Sequence, residues 1–124
     1  MGREARLRAH ADFTRVRAGG RSWSHPLLVL VAAPGEGPAA QTRVGVTASR
    51  RIGGAVVRNR VRRRLREALR ARYARMASGW DLVFIVRAPA AEAAFDALAQ
   101  AVDMLLSRAG LLQPEAVCAG SPSA

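Results

Sequence analysis

The sequence predicts an α+β or α/β sandwich, a single domain in which one small sheet is covered by helices. Its 124 residues suit one domain, and because half of them are hydrophobic they can form a packed core. The hydrophobic period changes along the chain in the order helix, strands, helix, strand, helix, which is typical of helices packed on one sheet. We expect the domain to span residues 1–112. Residues 113–124, with Pro114, Gly120 and Pro122, are expected to be a disordered tail.

The first helix is expected from Ala11 to Arg17. Asp12 can cap its N-terminus, and Phe13 and Val16 lie on one side of it. The glycine pair at 19–20 then ends it, because glycine readily adopts the backbone conformation that closes a helix. The prediction is therefore a short helix whose aromatic side chain lies beside an aliphatic one.

Strands are expected on both sides of a loop. The aliphatic run Leu27 to Val31 predicts one strand, and the Pro- and Gly-rich segment 34–38 closes it. Arg43 to Ala48 alternates well enough to be its partner strand. Further on, Asp81 to Val86 has the continuous apolar pattern of a buried strand, and Pro89 begins the next connection.

A long helix is expected from Ala55 to Arg75, after the glycine pair at 53–54. An apolar stripe runs along it at helical spacing: Val57, Val61, Leu65, Leu69 and Tyr73, with Ala68 beside them. Arginines occupy the opposite face and its borders: Arg60, Arg63, Arg66 and Arg70 point away from the stripe, with Arg58 and Arg62 beside it. One face of this helix therefore packs, and the other can meet phosphate.

A last amphipathic helix is expected from Glu92 to Arg108, with Gly110 as its cap. Its apolar face is formed by Phe95, Leu98, Val102, Leu105 and Leu106, and its outer face by Glu92, Asp96 and Asp103. This helix would complete the cover of the sheet.

The charge of the chain is concentrated in one segment. The formal net charge is +11, and lysine is absent. Between Arg43 and Arg75 there are twelve arginines and one acid, Glu67; the rest of the chain carries eight arginines and eight acids. A patch of one sign indicates a polyanionic partner, because neutralising phosphates releases condensed counterions. Arginine also donates forked hydrogen bonds to phosphates and base edges, which suits RNA at least as well as DNA.

Several function classes are disfavoured. Cys118 is the only cysteine, so no disulfide or cysteine zinc site is expected. His10 and His25 lack metal-ligand spacing, and no paired Asp suggests two-metal hydrolysis, so we assign no catalytic and no metal-binding residue. The N-terminus lacks a signal-peptide core, and the longest apolar run, Leu27 to Ala33, is too short to span a bilayer. We expect a cytoplasmic protein without a membrane partner.

Residues 43–67, RVGVTASRRIGGAVVRNRVRRRLRE, resemble the signature of the bacterial ribonuclease P protein. That signature joins a strand, two basic residues, a hydrophobic-Gly step and a helix that opens on Arg-Asn-Arg. Leu7, the pairs Asp12-Phe13 and Arg15-Val16, and the step Arg87-Ala88-Pro89 also match the family, so the resemblance runs from about Leu7 to Leu111.

The resemblance implies a ribonuclease P protein-like fold (ribosomal protein S5 domain 2-like), with a small mixed central sheet and the order α-β-β-(β)-α-β-α. It implies that the chain is the protein subunit of an endoribonuclease that removes the 5′ leader of precursor tRNA. The RNA subunit, with bound Mg²⁺, would carry out the phosphodiester hydrolysis, and the protein would hold no cofactor and would not be catalytic alone. The implied partners are the catalytic RNA and precursor tRNA, with no DNA.

The resemblance also implies two sets of binding residues. The catalytic RNA would dock on Ser49, Arg50, Arg51, Arg58, Asn59, Arg60, Arg62, Arg63 and Arg66. The leader would lie in a cleft between the first helix and the sheet that includes Phe13, Arg17, Val29 and Val31. The chain departs from the family where Arg17 and Val31 replace frequent aromatic residues and Gly54 replaces a common Asn. Leader binding would then depend more on Phe13 and on the charge of Arg17.

Three other functions remain open on the sequence. A general basic RNA-binding or ribosome-associated protein would explain the charge but not the co-occurring motifs. A DNA-binding regulator would place the helix at 55–75 in a major groove, although the sequence has no heptad seam or helix-turn-helix. A protein nuclease would cleave RNA without an RNA partner.

Overall fold

The computed structural model describes residues 6–7, 10–35 and 41–113. The helices are α1 (His10–Gly19), α2 (Ala55–Arg72) and α3 (Phe95–Arg108), and the strands are β1 (Arg21–Ser24), β2 (Leu28–Pro34), β3 (Arg43–Thr47) and β4 (Trp80–Val86). Short 3₁₀ turns lie at Arg50–Ile52, Tyr73–Arg75 and Ala88–Glu92. The predicted order α-β-β-(β)-α-β-α is confirmed, with β1 as the additional strand. Of the predicted tail, residues 113–124, Gln113 is described and its backbone N–H donates to the carbonyl oxygen of Arg75 at 2.8 Å, whereas residues 114–124 lie outside the described residues.

The sheet has the strand order β1-β2-β4-β3. β2 pairs antiparallel with β1 and with β4, whereas β3 pairs parallel with β4. The sheet is therefore mixed, as expected, but the prediction that β3 pairs with β2 is wrong. β4 lies between them because its side chains Leu82, Val83 and Phe84 are fully buried, which requires cover on both faces and a central position.

Two apolar clusters lie on opposite faces of this sheet. The larger one fills the space between the sheet and the α2–α3 pair, and the stripe of α2 contributes Val61, Leu65, Ala68 and Leu69 to it. The smaller one lies under α1 and is formed by Leu7, Val16, Val31, Ala33 and Val83. The sheet is thus covered on both faces, as the predicted sandwich requires.

The last helix begins later than expected. The segment Ala88–Glu92 forms a 3₁₀ turn that contains Pro89, and residues 93–94 are extended, so α3 starts at Phe95. Phe95 is 39% exposed and does not belong to the packed face to which it was assigned. Gly110 does follow α3 with a positive φ of 73°, as a helix-ending glycine should. In the described part of the chain, no helix is long and apolar enough to cross a membrane.

Candidate nucleic-acid interface

Helix α1 is tied to the sheet by a buried carboxylate, Asp81, at the start of β4. The Asp81 side chain is fully buried, and Arg43 of β3 binds it with both arms of its guanidinium group, Nε to Oδ1 at 3.0 Å and Nη2 to Oδ2 at 2.8 Å. Arg15 of α1 donates a further hydrogen bond to Oδ2. Asp12 completes the network, with carboxylate oxygens 3.6 Å from Arg15 Nη2 and 3.5 Å from Arg43 Nη1.

This network keeps Asp81 charged. Burial alone would raise the pKa of Asp81. The hydrogen bonds and charges of Arg43 and Arg15 lower it by more than burial raises it, so the pKa lies below its ordinary value. A charge buried in this way is tolerated only because it is paired and fully hydrogen-bonded. The carboxylate therefore joins α1, β3 and β4 at neutral pH.

Beside this network, the aromatic ring of Phe13 lies against the backbone of Gly45 in β3. A Cβ atom added at Gly45 would be 2.5 Å from Cζ and 2.7 Å from Cε1 of the ring, which is closer than real contacts allow. Gly45 thus provides the space that the ring occupies. The ring is half-buried, so one part of it packs on the small cluster under α1 and another part is accessible.

Phe13 stands where two cavities meet, one of about 450 Å³ and one of about 830 Å³. Both are bordered by Phe13, Val46 and Arg62, which come from α1, β3 and α2. We call their union the α1–α2 cleft. Its polar lining consists of Arg6, Asn59, Arg62 and Arg66 in the smaller cavity and His10, Thr14, Arg17, Thr47 and Ser49 in the larger.

Helix α2 presents one side to this cleft. Asn59, Arg62 and Arg66 are three and four residues apart, so they share a face. Arg62 donates to Asn59 Oδ1 at 3.4 Å and to the carbonyl oxygen of Ala48 at 3.3 Å, which holds it across the mouth of the cleft. A neighbouring groove of about 330 Å³ lies along the exposed outer face of α2, lined by Arg6, Arg63, Arg66, Glu67 and Arg70.

Other arginines of the basic segment bind groups within the protein. On the side of α2 that faces α3, Arg60 reaches the carbonyl oxygen of Ala91 at 3.5 Å, and Arg64 reaches that of Ala93 at 3.1 Å. Arg72 forms an ion pair with Asp103 of α3. The prediction that Arg60 points away from the packed face is therefore corrected: its side chain leans over the connection to α3. Arg58 is also half-buried.

The segment before α2 carries two more arginines next to a residue that lines the cleft. Ser49 lines the larger cavity, and its Oγ accepts a hydrogen bond from the backbone N–H of Arg51 at 3.3 Å. Arg50 and Arg51 are both exposed in the 3₁₀ turn that follows. Gly53 has a φ of 145°, a conformation that side chains disfavour, so glycine is required there to begin α2 at this angle.

The four residues predicted for the cleft separate into two pairs. Phe13 and Arg17 line it. Val31 is only 5% exposed and belongs to the cluster under α1, and Val29 packs against the same cluster, so neither borders either cavity. Sequence reasoning missed Val46 and Thr47, although they stand in the same motif as Arg43 and lie on the strand that closes the cleft.

Among the described residues, no group of three or more His, Cys, Asp or Glu side chains could hold a metal ion. His25 Nδ1 instead accepts a hydrogen bond from the backbone N–H of Leu27 at 3.0 Å. The cleft and the adjoining face of α2 combine an aromatic ring, an amide and several guanidinium groups. This combination suits the bases and phosphates of a nucleic acid strand.

Comparison with known proteins gives one consistent result. The family model described as Ribonuclease P matches residues 1–110. The ribonuclease P protein component of Herpetosiphon aurantiacus is 50% identical over 111 residues, covering 90% of this chain and 89% of that protein. The component from Roseiflexus castenholzii is 50% identical over 114 residues, covering 91% of this chain and 92% of the relative.

Solved structures show the same architecture. The ribonuclease P protein of Staphylococcus aureus superimposes with a TM-score of 0.80 at 24% identity, covering 88% of this chain and 98% of that chain. The Thermotoga maritima protein gives a TM-score of 0.72 at 25% identity, covering 81% and 94%.

Proposed function

This chain belongs to the ribonuclease P protein family, and we propose that, as the protein subunit of the bacterial endoribonuclease, it offers two adjoining surfaces to two RNA segments. The outer face of α2 and the turn before it bind the catalytic RNA. The α1–α2 cleft binds the single-stranded 5′ leader of precursor tRNA. The cleft and the outer groove of α2 share Arg6 and Arg66, so the substrate and the catalytic RNA would lie side by side.

The surface for the catalytic RNA is supported by exposure and charge. Four arginines of this surface are exposed: Arg50, Arg51, Arg63 and Arg66. Arg70, on the same face of α2, forms an ion pair with Glu67 at 2.7 Å. Guanidinium groups form forked, charge-assisted hydrogen bonds with phosphates, and each phosphate neutralised releases counterions. The proposal therefore assigns most of the salt-dependent affinity to these side chains and less to Arg60, Arg64 and Arg72, which bind protein groups.

The cleft is supported as the leader site by its size and chemistry. Cavities of about 450 and 830 Å³ are of the size that holds small molecules, which suits individual nucleotides and not a duplex. A base can stack on the accessible part of Phe13, an interaction of about 1 to 3 kcal/mol. Asn59 can both donate to and accept from a base edge, while Arg17 and Arg62 can bind the backbone phosphates.

The hydrolysis itself is assigned to the RNA subunit, with Mg²⁺ bound there. Two-metal phosphodiester hydrolysis needs clustered carboxylates when a protein holds the ions, and the described part of the chain offers no such cluster. The role proposed for this protein is to bind and orient the leader. Uniform binding of the leader raises affinity for the precursor over the mature product, which lacks it.

The observation that carries the proposal is the position of Phe13, which borders both cavities and lines the smaller one together with Asn59 and both together with Arg62. The test is the affinity of the reconstituted holoenzyme for precursor and mature tRNA, with wild-type protein and with Phe13→Ala. We expect the variant to bind the precursor about fivefold to a hundredfold more weakly, as loss of one stacked base implies, and to bind mature tRNA unchanged. Equal losses for both ligands would refute the cleft assignment.

A further inference from the structure

Helix α1 carries Phe13 and Arg17 to the cleft, and its apolar contact with the sheet is made by two side chains, Val16 and Phe13. Within His10–Gly19, Val16 is the one fully buried side chain. A helix of ten residues is too short to be stable alone, so its position depends on tertiary contacts. Polar contacts must therefore contribute to where α1 lies.

Arg15 makes those contacts from the middle of the helix. Its guanidinium group binds Asp81 at the start of β4 and donates to the carbonyl oxygen of Pro34 at the end of β2, at 3.2 Å. Asp81 in turn is held by Arg43 of β3. Arg15 thus connects α1 with β4 and β3 through one buried carboxylate, and with β2 through a backbone carbonyl oxygen.

Helix α1 and strand β3 are also in contact at a second place close by. Phe13, two residues before Arg15, lies against Gly45, two residues after Arg43. Because the ring already occupies the space above Gly45, it has no room to move towards β3. A shift of α1 away from the sheet would therefore move the ring out of the cleft wall, and the Arg15–Asp81 contact opposes that shift.

We propose that Arg15 is a positioning residue for leader binding: through Asp81 it fixes α1 on the sheet and so holds the Phe13 ring in the cleft. This inference rests on the function proposed above, in which Phe13 contacts the leader. Arg15 lines neither cavity of the cleft, so it acts through Phe13 and not by touching RNA.

The experiment is a double-mutant cycle on the reconstituted holoenzyme. The ratio of the Kd for mature tRNA to the Kd for precursor tRNA is measured for wild type, Arg15→Met, Phe13→Ala and the double variant. Arg108→Met is the matched control. Arg108 is an exposed arginine that donates to the carbonyl oxygen of Ser24 at 3.3 Å, and Ser24 lies on β1, at the opposite edge of the sheet from the β3 strand that lines the cleft. Arg15→Lys keeps the charge beside Asp81.

We expect Arg15→Met to lower the selectivity ratio roughly three- to tenfold, within the range of couplings between residues that share contacts. Arg15→Lys should recover most of the loss, and Arg108→Met should leave the ratio unchanged. In the Phe13→Ala background, Arg15→Met should have no further effect, a result that general loss of stability would not give. If Arg15→Met does not fold by circular dichroism, Arg15→Gln takes its place in the cycle.

Two outcomes would overturn the inference about Arg15 but not the proposed leader site. One is an unchanged ratio in Arg15→Met while Phe13→Ala lowers it; the other is a loss of equal size in both backgrounds, which would show that Arg15 acts independently of Phe13. An unchanged ratio in Phe13→Ala would overturn both this inference and the proposed leader site.

Discussion

The ring of Phe13 on helix α1 lies over Gly45 of strand β3: a Cβ atom added at residue 45 would be 2.5 Å from the Cζ atom of the ring. Gly45 lines the smaller cavity of the α1–α2 cleft, and Phe13 borders both cavities. The size of residue 45 therefore affects the position of the ring in the cleft, because any Cβ atom there must displace the ring.

Gly45→Ala is expected to destabilise the fold by about 1–3 kcal/mol, the usual cost of overpacking. In a Phe13→Ala background the same substitution should cost less, because the ring atoms at 2.5 and 2.7 Å are gone and the tight contact that remains is the Cβ atom of Leu7 at 3.1 Å. Urea unfolding of the wild type, both single variants and the double variant measures this. Equal costs in the two backgrounds would show that the ring does not lie against Gly45.

Arg63→Ala should weaken binding to the catalytic RNA and reduce the slope of log K against log salt by about one unit, because Arg63 is exposed on the outer face of α2. Arg72→Ala removes the same charge, but Arg72 is paired with Asp103, so its slope should stay near that of wild type while stability falls. Filter binding over a salt series compares them. The same slope change in both variants would contradict the assignment of the outer face of α2 to binding of the catalytic RNA.

Acid should weaken the fold through Asp81. Its pKa is lower in the folded state than in the unfolded chain, so the Asp81 contribution to stability is complete above the unfolded-state pKa of about 4 and is lost as pH falls through the folded-state pKa. Removal of Arg15 takes away one of the contacts that lower the pKa of Asp81. In Arg15→Met, the Asp81 contribution at neutral pH should therefore be smaller, and its loss should be complete at a higher pH than in wild type. Denaturant unfolding between pH 7 and pH 3 checks this, and identical pH profiles would contradict it.

Tyr73 anchors the start of β3. Its hydroxyl donates to the carbonyl oxygen of Thr42, and the Thr42 hydroxyl donates to the carbonyl oxygen of Ala77 before β4. Tyr73→Phe should cost about 1 kcal/mol, the net value of one such hydrogen bond. Thermal unfolding measures the cost. An unchanged midpoint would mean that the hydroxyl contributes nothing to stability.

Burial also raises the pKa of Tyr73, an effect that a hydrogen bond with Gln41 partly offsets. The neutral phenol is therefore favoured in the folded state. Its contribution to stability is complete below the unfolded-state pKa of about 10 and is lost as pH rises through the folded-state value. An ultraviolet titration should show Tyr73 ionising above the pH of a free tyrosine; ionisation at or below that pH would be the contrary result.

Local pattern predicted the three helices and strands β2, β3 and β4, because each of these elements carries its own period, whereas the additional strand β1 was expected only from the resemblance. The stripe of α2 is buried at Val61, Leu65 and Leu69 as the spacing requires. Strand pairing was harder to predict from the sequence. β2 and β3 are neighbours along the chain, but nothing in either strand shows that β4 returns to lie between them. The continuous apolar run of β4 was the available signal for a central strand.

The candidate site was predicted in part. The basic face of α2 follows from composition and period, but the charges of Arg43 and Arg72 are bound by Asp81 and Asp103, acids that are distant in sequence. The resemblance placed Val31 in the cleft, whereas its short side chain is buried under α1. The contact of Phe13 with Gly45 joins two elements that no periodicity relates, so only the folded structure shows it.

The most direct test of the account is cleavage of precursor tRNA at low Mg²⁺ by bacterial ribonuclease P RNA, with and without this protein, and by the protein alone. Cleavage at the mature 5′ end is expected only when RNA and protein are both present. No stimulation by protein that still binds the RNA tightly would contradict the account in favour of a general RNA-binding function, and cleavage by the protein alone would contradict it in favour of a protein nuclease.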